Sequence, residues 1–317
     1  MIQTKDFRSM GSRIFLVLDS SDPQAFEAIQ QVPGWFRRAE AIFSRFDPES
    51  ELSRLNHSQG SLFHASPEMI EVLLLAKEVR EHTDGLITPT VLDALINNGY
   101  DTDFSSLKYL HPSGGSRIQL LPPDALDFEL DATAGTVLLP KDVKLDLGGF
   151  AKGWTTHQVM TRLSALAPVL VNAGGDIAVS GPRSDGDSWL IGVENPLDAR
   201  ENVAMVNLVE GGIATSGKDY RRWMKDGKVQ HHLINPWTGL PAVSDVFSAT
   251  VIAPDVMTAE AAAKVAVIGG SKAGCDWMES QDDLAWLLQL ENGQIISSLS
   301  FDHYLWKSLE INIQQPN

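Results

Sequence analysis

At 317 residues, 43% of them hydrophobic, the chain is long enough to bury a sizeable core as one large domain or two medium ones. Its 25 basic and 41 acidic residues leave a formal net charge of −16, which argues against nucleic acid or anionic lipid as partners and requires any anionic ligand to meet a local basic pocket. The single cysteine, Cys275, excludes an internal disulfide and reads as a packing residue, and no apolar run approaches the roughly 18 residues of a membrane span, so no membrane insertion is expected.

The first twenty residues carry no basic segment followed by an apolar run and no lipid-accepting cysteine, so the chain reads as cytoplasmic. Arg13–Asp19 suits a first strand, and the Ser-Ser-Asp-Pro cluster from Ser20 starts a helix reaching about Phe43. A turn at residues 46–50 leads to a short helical segment over 50–56, with Asn56 beside its end. A helix opens at Ser66-Pro67-Glu68, carries Met69, Val72, Leu73, Ala76 and Val79 at helical spacing, and ends near Gly85.

Residues 91–107 read as helix and then loop, and 112–116 as a surface turn. Short strands are expected near 118–120, 127–130, 136–139 and 143–147. The last runs through Gly148-Gly149 into a helix over 150–166, an arrangement suited to cradling a phosphate, with Asp146 and Lys152 bringing one charge of each sign. Strands follow at 169–172, 177–180, 189–194, 204–208 and 212–215, with a hairpin signal at Lys225-Asp226-Gly227-Lys228. A helix over 257–268 precedes a final helix and hairpin. Mixed runs of strands and helices without strict alternation place the chain in the α+β class, as two interlocked subdomains.

Several segments carry chemistry in a fixed order. Ser9-Met10-Gly11-Ser12, the run from Phe43 to Asn56 (FSRFDPESELSRLN), Thr83–Thr90 (TDGLITPT), Lys144–Gly153 (KLDLGGFAKG), Val171–Ile177 (VNAGGDI), Ala214–Gly217 (ATSG), His231–Gly239 (HHLINPWTG) and Met257–Lys264 (MTAEAAAK) together resemble the motifs of the ApbE family of FAD:protein FMN transferases. The resemblance spans nearly the whole chain, 1–317, as a single ApbE-like domain with mixed or antiparallel sheets and packed helices. It implies transfer of FMN from FAD to a Thr or Ser hydroxyl of an acceptor protein, with release of AMP.

By the same resemblance, Phe46 stands where the family has a flavin-stacking Tyr, a role a phenyl ring can keep. Met10, Asn56, Leu86, Ile87, Thr88, Asp146, Lys152, Ser216, His232 and Ile234 are implied nucleotide contacts, and Gly149 and Glu260 the holders of a magnesium ion. The candidate catalytic groups are Lys152, Glu260 through a metal ion or Lys264 through its own ammonium, and His232. Departures from the pattern are informative. Asn235 and Trp237 replace an Asp and an Arg together, which preserves net charge. In the 257–264 segment Glu260 replaces Asp and Lys264 replaces Thr, and an ammonium cannot ligate a metal ion.

Two readings of Lys264 stand side by side: an i,i+4 partner of Glu260, or a cation that occupies the place of the metal. Asp176, His231 and His232 are candidates for base assistance, with one of the adjacent histidines expected to be buried. The alternatives to a transferase are an FAD-binding protein without metal-dependent catalysis and an FAD pyrophosphatase.

Overall fold

The computed structural model describes residues 1–107 and 127–306, so the turn expected at 112–116 and the strand expected at 118–120 lie outside the described residues. In chain order the elements are β1 (Ile2–Ser9), β2 (Ser12–Asp19), α1 (Pro23–Phe43), α2 (Glu51–His57), β3 (Leu62–His64), α3 (Pro67–His82), α4 (Leu92–Asn97), α5 (Phe104–Leu107), β4 (Glu129–Asp131), β5 (Thr136–Leu138), α6 (Ala151–Ser164), β6 (Val169–Ala173), β7 (Asp176–Ser180) and β8 (Trp189–Asn195). They continue with β9 (Asp198–Leu208), β10 (Gly211–Gly217), β11 (Arg222–Lys225), β12 (Lys228–His231), β13 (Ile234–Asn235), β14 (Leu240–Pro241), β15 (Val246–Ala253), α7 (Val256–Glu279), β16 (Ala285–Leu290) and β17 (Ile295–Ser297). The class is α+β. No helix among the described residues is long and apolar enough to cross a membrane.

The chain forms two compact units that interleave along the sequence: a first of Met1–Phe36, Lys152–Asp219 and Ser244–Asn317, and a second of Arg37–Ala151 and Tyr220–Val243. The first unit is built on an eight-stranded sheet in the order β1-β2-β6-β7-β10-β15-β16-β17. Every neighbouring pair in it is antiparallel. Period-two alternation splits its side chains between two cores. Ile14, Leu16, Leu18, Val169, Val171 and Ala173 face Ile29, Val32 and Phe36 of α1 and Val159 and Leu163 of α6. Leu170, Ile177, Val179, Ile213, Ile252 and Leu287 pack with the β8–β9 hairpin through Trp189, Ile191, Val193, Val206 and Leu208.

Helix α7 lies against β10 and β15. Its start is set by Gly212, where a Cβ would overlap the Val256 nitrogen, and by the Asp255 carboxylate, which accepts from the Met257 and Thr258 N–H groups at 2.8 and 2.9 Å. The helix breaks at Gly270, whose φ of 81° is open to glycine. There the Ser271 N–H donates to Asp245 Oδ1 at 2.9 Å, and the Ser244 hydroxyl donates to the Val267 carbonyl at 2.6 Å, so the bend leaves both backbone groups satisfied.

The second unit holds α2 to α5, the three-stranded sheet β3-β5-β4 and the hairpins β11–β12 and β13–β14. Its helix starts follow the sequence: Ser50 and Ser66 cap α2 and α3 through the Ser53 and Met69 N–H groups at 3.0 and 3.2 Å. Asp226 and Gly227, both with positive φ, close the β11–β12 hairpin at the expected place.

β1 and β15 go beyond the sequence expectation, for opposite reasons. β1 is an edge strand of mostly polar residues whose inward anchor is Phe7, edge-on to Phe36 at 5.5 Å. β15 is buried along nearly its whole length and shows no alternation to read.

Candidate functional site

Four ionic side chains meet in the first unit. Lys152 and Gly153 lie in the first turn of α6, Asp176 opens β7, and Glu260 and Lys264 lie one turn apart on α7. Lys152 Nζ pairs with Asp176 Oδ2, and Lys264 Nζ pairs with Glu260 Oε1 at 2.9 Å. The side chains of Asp176 and Glu260 are 3% and 5% exposed, and those of Lys152 and Lys264 17% and 13%, so neither lysine is a solvated surface group. The Gly153 N–H, one of the helix-start donors that lack an intrahelical partner, donates to Glu260 Oε2 at 3.2 Å. A Cβ on Gly153 would overlap that oxygen. Glycine at 153 is what lets the helix start approach the carboxylate. Burial pushes the Glu260 carboxyl above the usual carboxylate range and Asp176 adds to this, while Lys264 and Lys152 oppose it.

Asp176 is delivered by the turn between β6 and β7. Gly174 and Gly175 have φ of 64° and 100°, and a Cβ on Gly174 would meet Ser12 Oγ at 2.7 Å. Met10 and Gly11 form the tight β1–β2 turn with φ of 50° and 66°, and the Met10 side chain joins the α1-facing core. Ser216 is half-buried on β10, next to Thr215, whose hydroxyl is shared with Thr250 at 2.8 Å.

The second unit holds the remaining expected residues. Arg45 binds Asp146 through Nε at 2.6 Å, both largely buried, and donates through Nη2 to the Tyr100 carbonyl at 2.8 Å. Its guanidinium carbon lies 4.1 and 4.5 Å from the ring centroids of Phe46 and Tyr100. Phe46 remains 38% exposed, and burial raises the Tyr100 phenol above its ordinary pKa.

Residues 143–147 do not form the expected strand. Their backbone groups are satisfied by other means: Leu145 exchanges two hydrogen bonds with the Asn56 side chain at 2.8 and 2.9 Å, and the Asp146 N–H donates to the Pro89 carbonyl at 2.8 Å. Asn56 thus replaces a neighbouring strand. Gly148 and Gly149 make the turn without positive φ, and the Gly148 N–H donates to Asp146 Oδ1 at 2.9 Å.

Leu86 is half-buried, Ile87 is 5% exposed, and the buried Thr88 and Thr90 hydroxyls share a hydrogen bond at 2.8 Å. His231 is the buried histidine, with Nε2 against the Ala242 carbonyl at 3.1 Å, and His232 is half-buried. Ile234 is a core residue, packed with Leu95, Tyr100 and Trp223. Asn235 accepts from the Trp237 N–H at 3.0 Å and shapes its turn without an ion pair.

Gly149 and Glu260, the expected metal holders, belong to different units. Both Glu260 oxygens are already engaged, Oε1 by the Lys264 ammonium, which cannot ligate a metal ion, and Oε2 by the Gly153 N–H. The residues present do not fit magnesium, which requires near-octahedral oxygen ligands. Arg45, Gly153 and Tyr100 were not singled out from sequence. The one available signal was an arginine set between Phe43 and Phe46 in an acidic chain.

The ApbE family profile matches residues 10–288. The FAD:protein FMN transferase of Haemophilus influenzae is 27% identical over 282 residues, covering 86% of this chain and 81% of that protein. The protein of the same name from Chlamydia muridarum is 29% identical over 280 residues, covering 83% and 81%. In structure, the chain is similar to the ApbE protein of Thermotoga maritima, with a TM-score of 0.83 at 24% identity over 97% of this chain and 100% of that one. The flavin transferase ApbE of Vibrio cholerae gives 0.76 at 22% identity, over 96% and 99%. A family match across most of the sequence, with the ordered motifs and the α+β fold, leads to one conclusion: the chain belongs to the ApbE family.

Proposed function

We propose that this protein is an FAD:protein FMN transferase, which moves FMN from FAD to a Thr or Ser hydroxyl of an acceptor protein and releases AMP. The main support for the reading is the Lys152 ammonium, held by Asp176 at the start of α6 directly after the Gly148-Gly149 turn. A fixed cation at a helix start suits the pyrophosphate of a dinucleotide. In the reaction the acceptor oxygen forms a bond to the phosphorus of the FMN portion, the bond from that phosphorus to the bridging oxygen breaks, and AMP leaves with the electron pair. Lys152 offsets charge on the phosphates.

The hydroxyl proton needs an acceptor. We assign base assistance to His232, the half-buried member of the histidine pair, in preference to the buried His231 and Asp176. Phe46, with its exposed ring, is the assigned stacking partner of the isoalloxazine, and Met10, Asn56, Leu86, Ile87, Thr88, Asp146, Ser216 and Ile234 are assigned to shaping or contacting the nucleotide site. For Asn56, Ile87 and Ile234 the burial favours a shaping role. No step of this reading runs through magnesium. A cytoplasmic location completes it; the single cysteine, Cys275, forms no internal disulfide, which permits a reducing compartment.

The test is incubation of the protein with FAD and a threonine-bearing acceptor peptide, reading peptide flavin fluorescence and AMP release. Labelled peptide with equimolar AMP is expected, and Lys152→Ala should abolish both. FMN and AMP without labelling would make the protein a pyrophosphatase, and FAD retained without AMP a binding protein; either result sinks the transferase reading.

A further inference from the structure

We infer that the Lys264 ammonium is a resident cation which takes the place of a divalent metal ion beside Glu260, so that the protein binds FAD without one. The inference rests on the transferase reading for its ligand and on the first unit alone for its geometry. Lys152, Asp176 and Glu260 by themselves leave a buried cluster with one excess negative charge when the carboxyls are ionised. Such a cluster attracts a cation, and a phosphate brought beside it would be repelled. Lys264 brings the cluster to neutrality from within the chain.

The position of that charge is built in. Lys264 stands on the part of α7 before the Gly270 break, one turn after Glu260, with its ammonium 2.9 Å from Glu260 Oε1 and 3.3 Å from the Glu260 carbonyl. The Gly153 N–H holds the other carboxylate oxygen at 3.2 Å. A divalent ion at Glu260 would have to displace the ammonium from Oε1 or the helix-start donor from Oε2. In the first position it would also sit beside a positive charge that the helix keeps within reach. Without the ammonium, the same carboxylates would form a site for a hard cation completed by water, the usual manner of binding for magnesium.

The experiment uses Mn2+ as the probe, read by electron paramagnetic resonance and by its effect on melting temperature, with the wild-type protein, Lys264→Thr and Lys264→Met. Flavin fluorescence is measured separately in EDTA and in Mg2+. Wild type should bind no stoichiometric Mn2+, and its FAD affinity should change by less than about twofold between EDTA and Mg2+. Both variants should take up one Mn2+ with a rise in melting temperature, and their FAD affinity should increase by about tenfold or more on adding the metal.

Stoichiometric Mn2+ on wild type, or loss of its FAD binding in EDTA, would overturn the inference. So would folded variants, by circular dichroism, that gain no Mn2+. If Lys264→Thr does not fold, Lys264→Met, which keeps the stem of the side chain, decides the matter. Should both unfold without metal, recovery of the fold in Mn2+ supports the inference and no recovery overturns it. The Mn2+ arm is read without flavin, so a protein that bound no FAD would defeat the functional reading while still deciding whether Lys264 stands in an ion's place.

Discussion

The two units hold their buried charges differently. In the first, Lys152, Asp176, Glu260 and Lys264 are mounted on two helices and a strand, and four charges balance one another. In the second, Arg45 and Asp146 stand on irregular backbone between elements, and their pair is enclosed by two aromatic rings and braced by Asn56. Regular elements position charge by hydrogen-bond ladders already formed. A loop must be positioned by side chains, so the second arrangement depends on particular polar and aromatic residues that have no ionic role.

The contrast is tested most severely at Lys264. Lys264→Met leaves Glu260 buried without its partner and should cost about 3 kcal/mol in the absence of divalent metal, measured by urea unfolding at pH 7. Asn56→Ala removes both hydrogen bonds to Leu145 and should cost about 2 kcal/mol, with hydrogen exchange at Leu145 and Asp146 faster than in the remainder of the second unit. If exchange there is unchanged, Asn56 does not substitute for a strand. Arg45→Lys keeps the charge but loses the planar stack, for an expected cost of about 1 to 2 kcal/mol. A cost near zero would show that charge alone holds the loop.

A weaker effect concerns the bend in α7. Burial would raise the Asp245 carboxyl, but the Ser271 hydroxyl and N–H, with the backbone N–H of Asp245 and the charge of Lys218, together outweigh it and hold the carboxyl below its ordinary value. The unfolded chain therefore takes up the proton first as pH falls. The stability from the ionised form is full above the unfolded value of about 3.9 and is lost as pH drops through the lower folded one. Asp245→Asn should flatten this acid limb in urea melts between about pH 5 and pH 2; an unchanged limb would assign acid sensitivity elsewhere.

Much of the local structure that carries the candidate site was legible because its signals are short-range. Ser50 and Ser66 cap their helices, Pro67 sits at a helix start, and Asp226-Gly227 closes its hairpin, each for a reason confined to a few neighbouring residues. The expected strand at 143–147 failed because an apolar alternating run is equally compatible with an extended segment bonded by side chains. The helical spacing of Glu260 and Lys264 made their pairing readable, but not their burial.

The family and the α+β class could be read from the chain alone, because they depend on composition, local turn chemistry and the order of motifs. Which charges meet was settled by packing. Lys152 had many carboxylates to choose among in a chain with 41 acidic residues, and its pairing with Asp176 follows from where α6 and β7 are brought together. Arg45 likewise finds Asp146 from a distant part of the chain. Coulomb attraction and burial act through space, and proximity in space between distant residues is a property of packing that no local pattern contains.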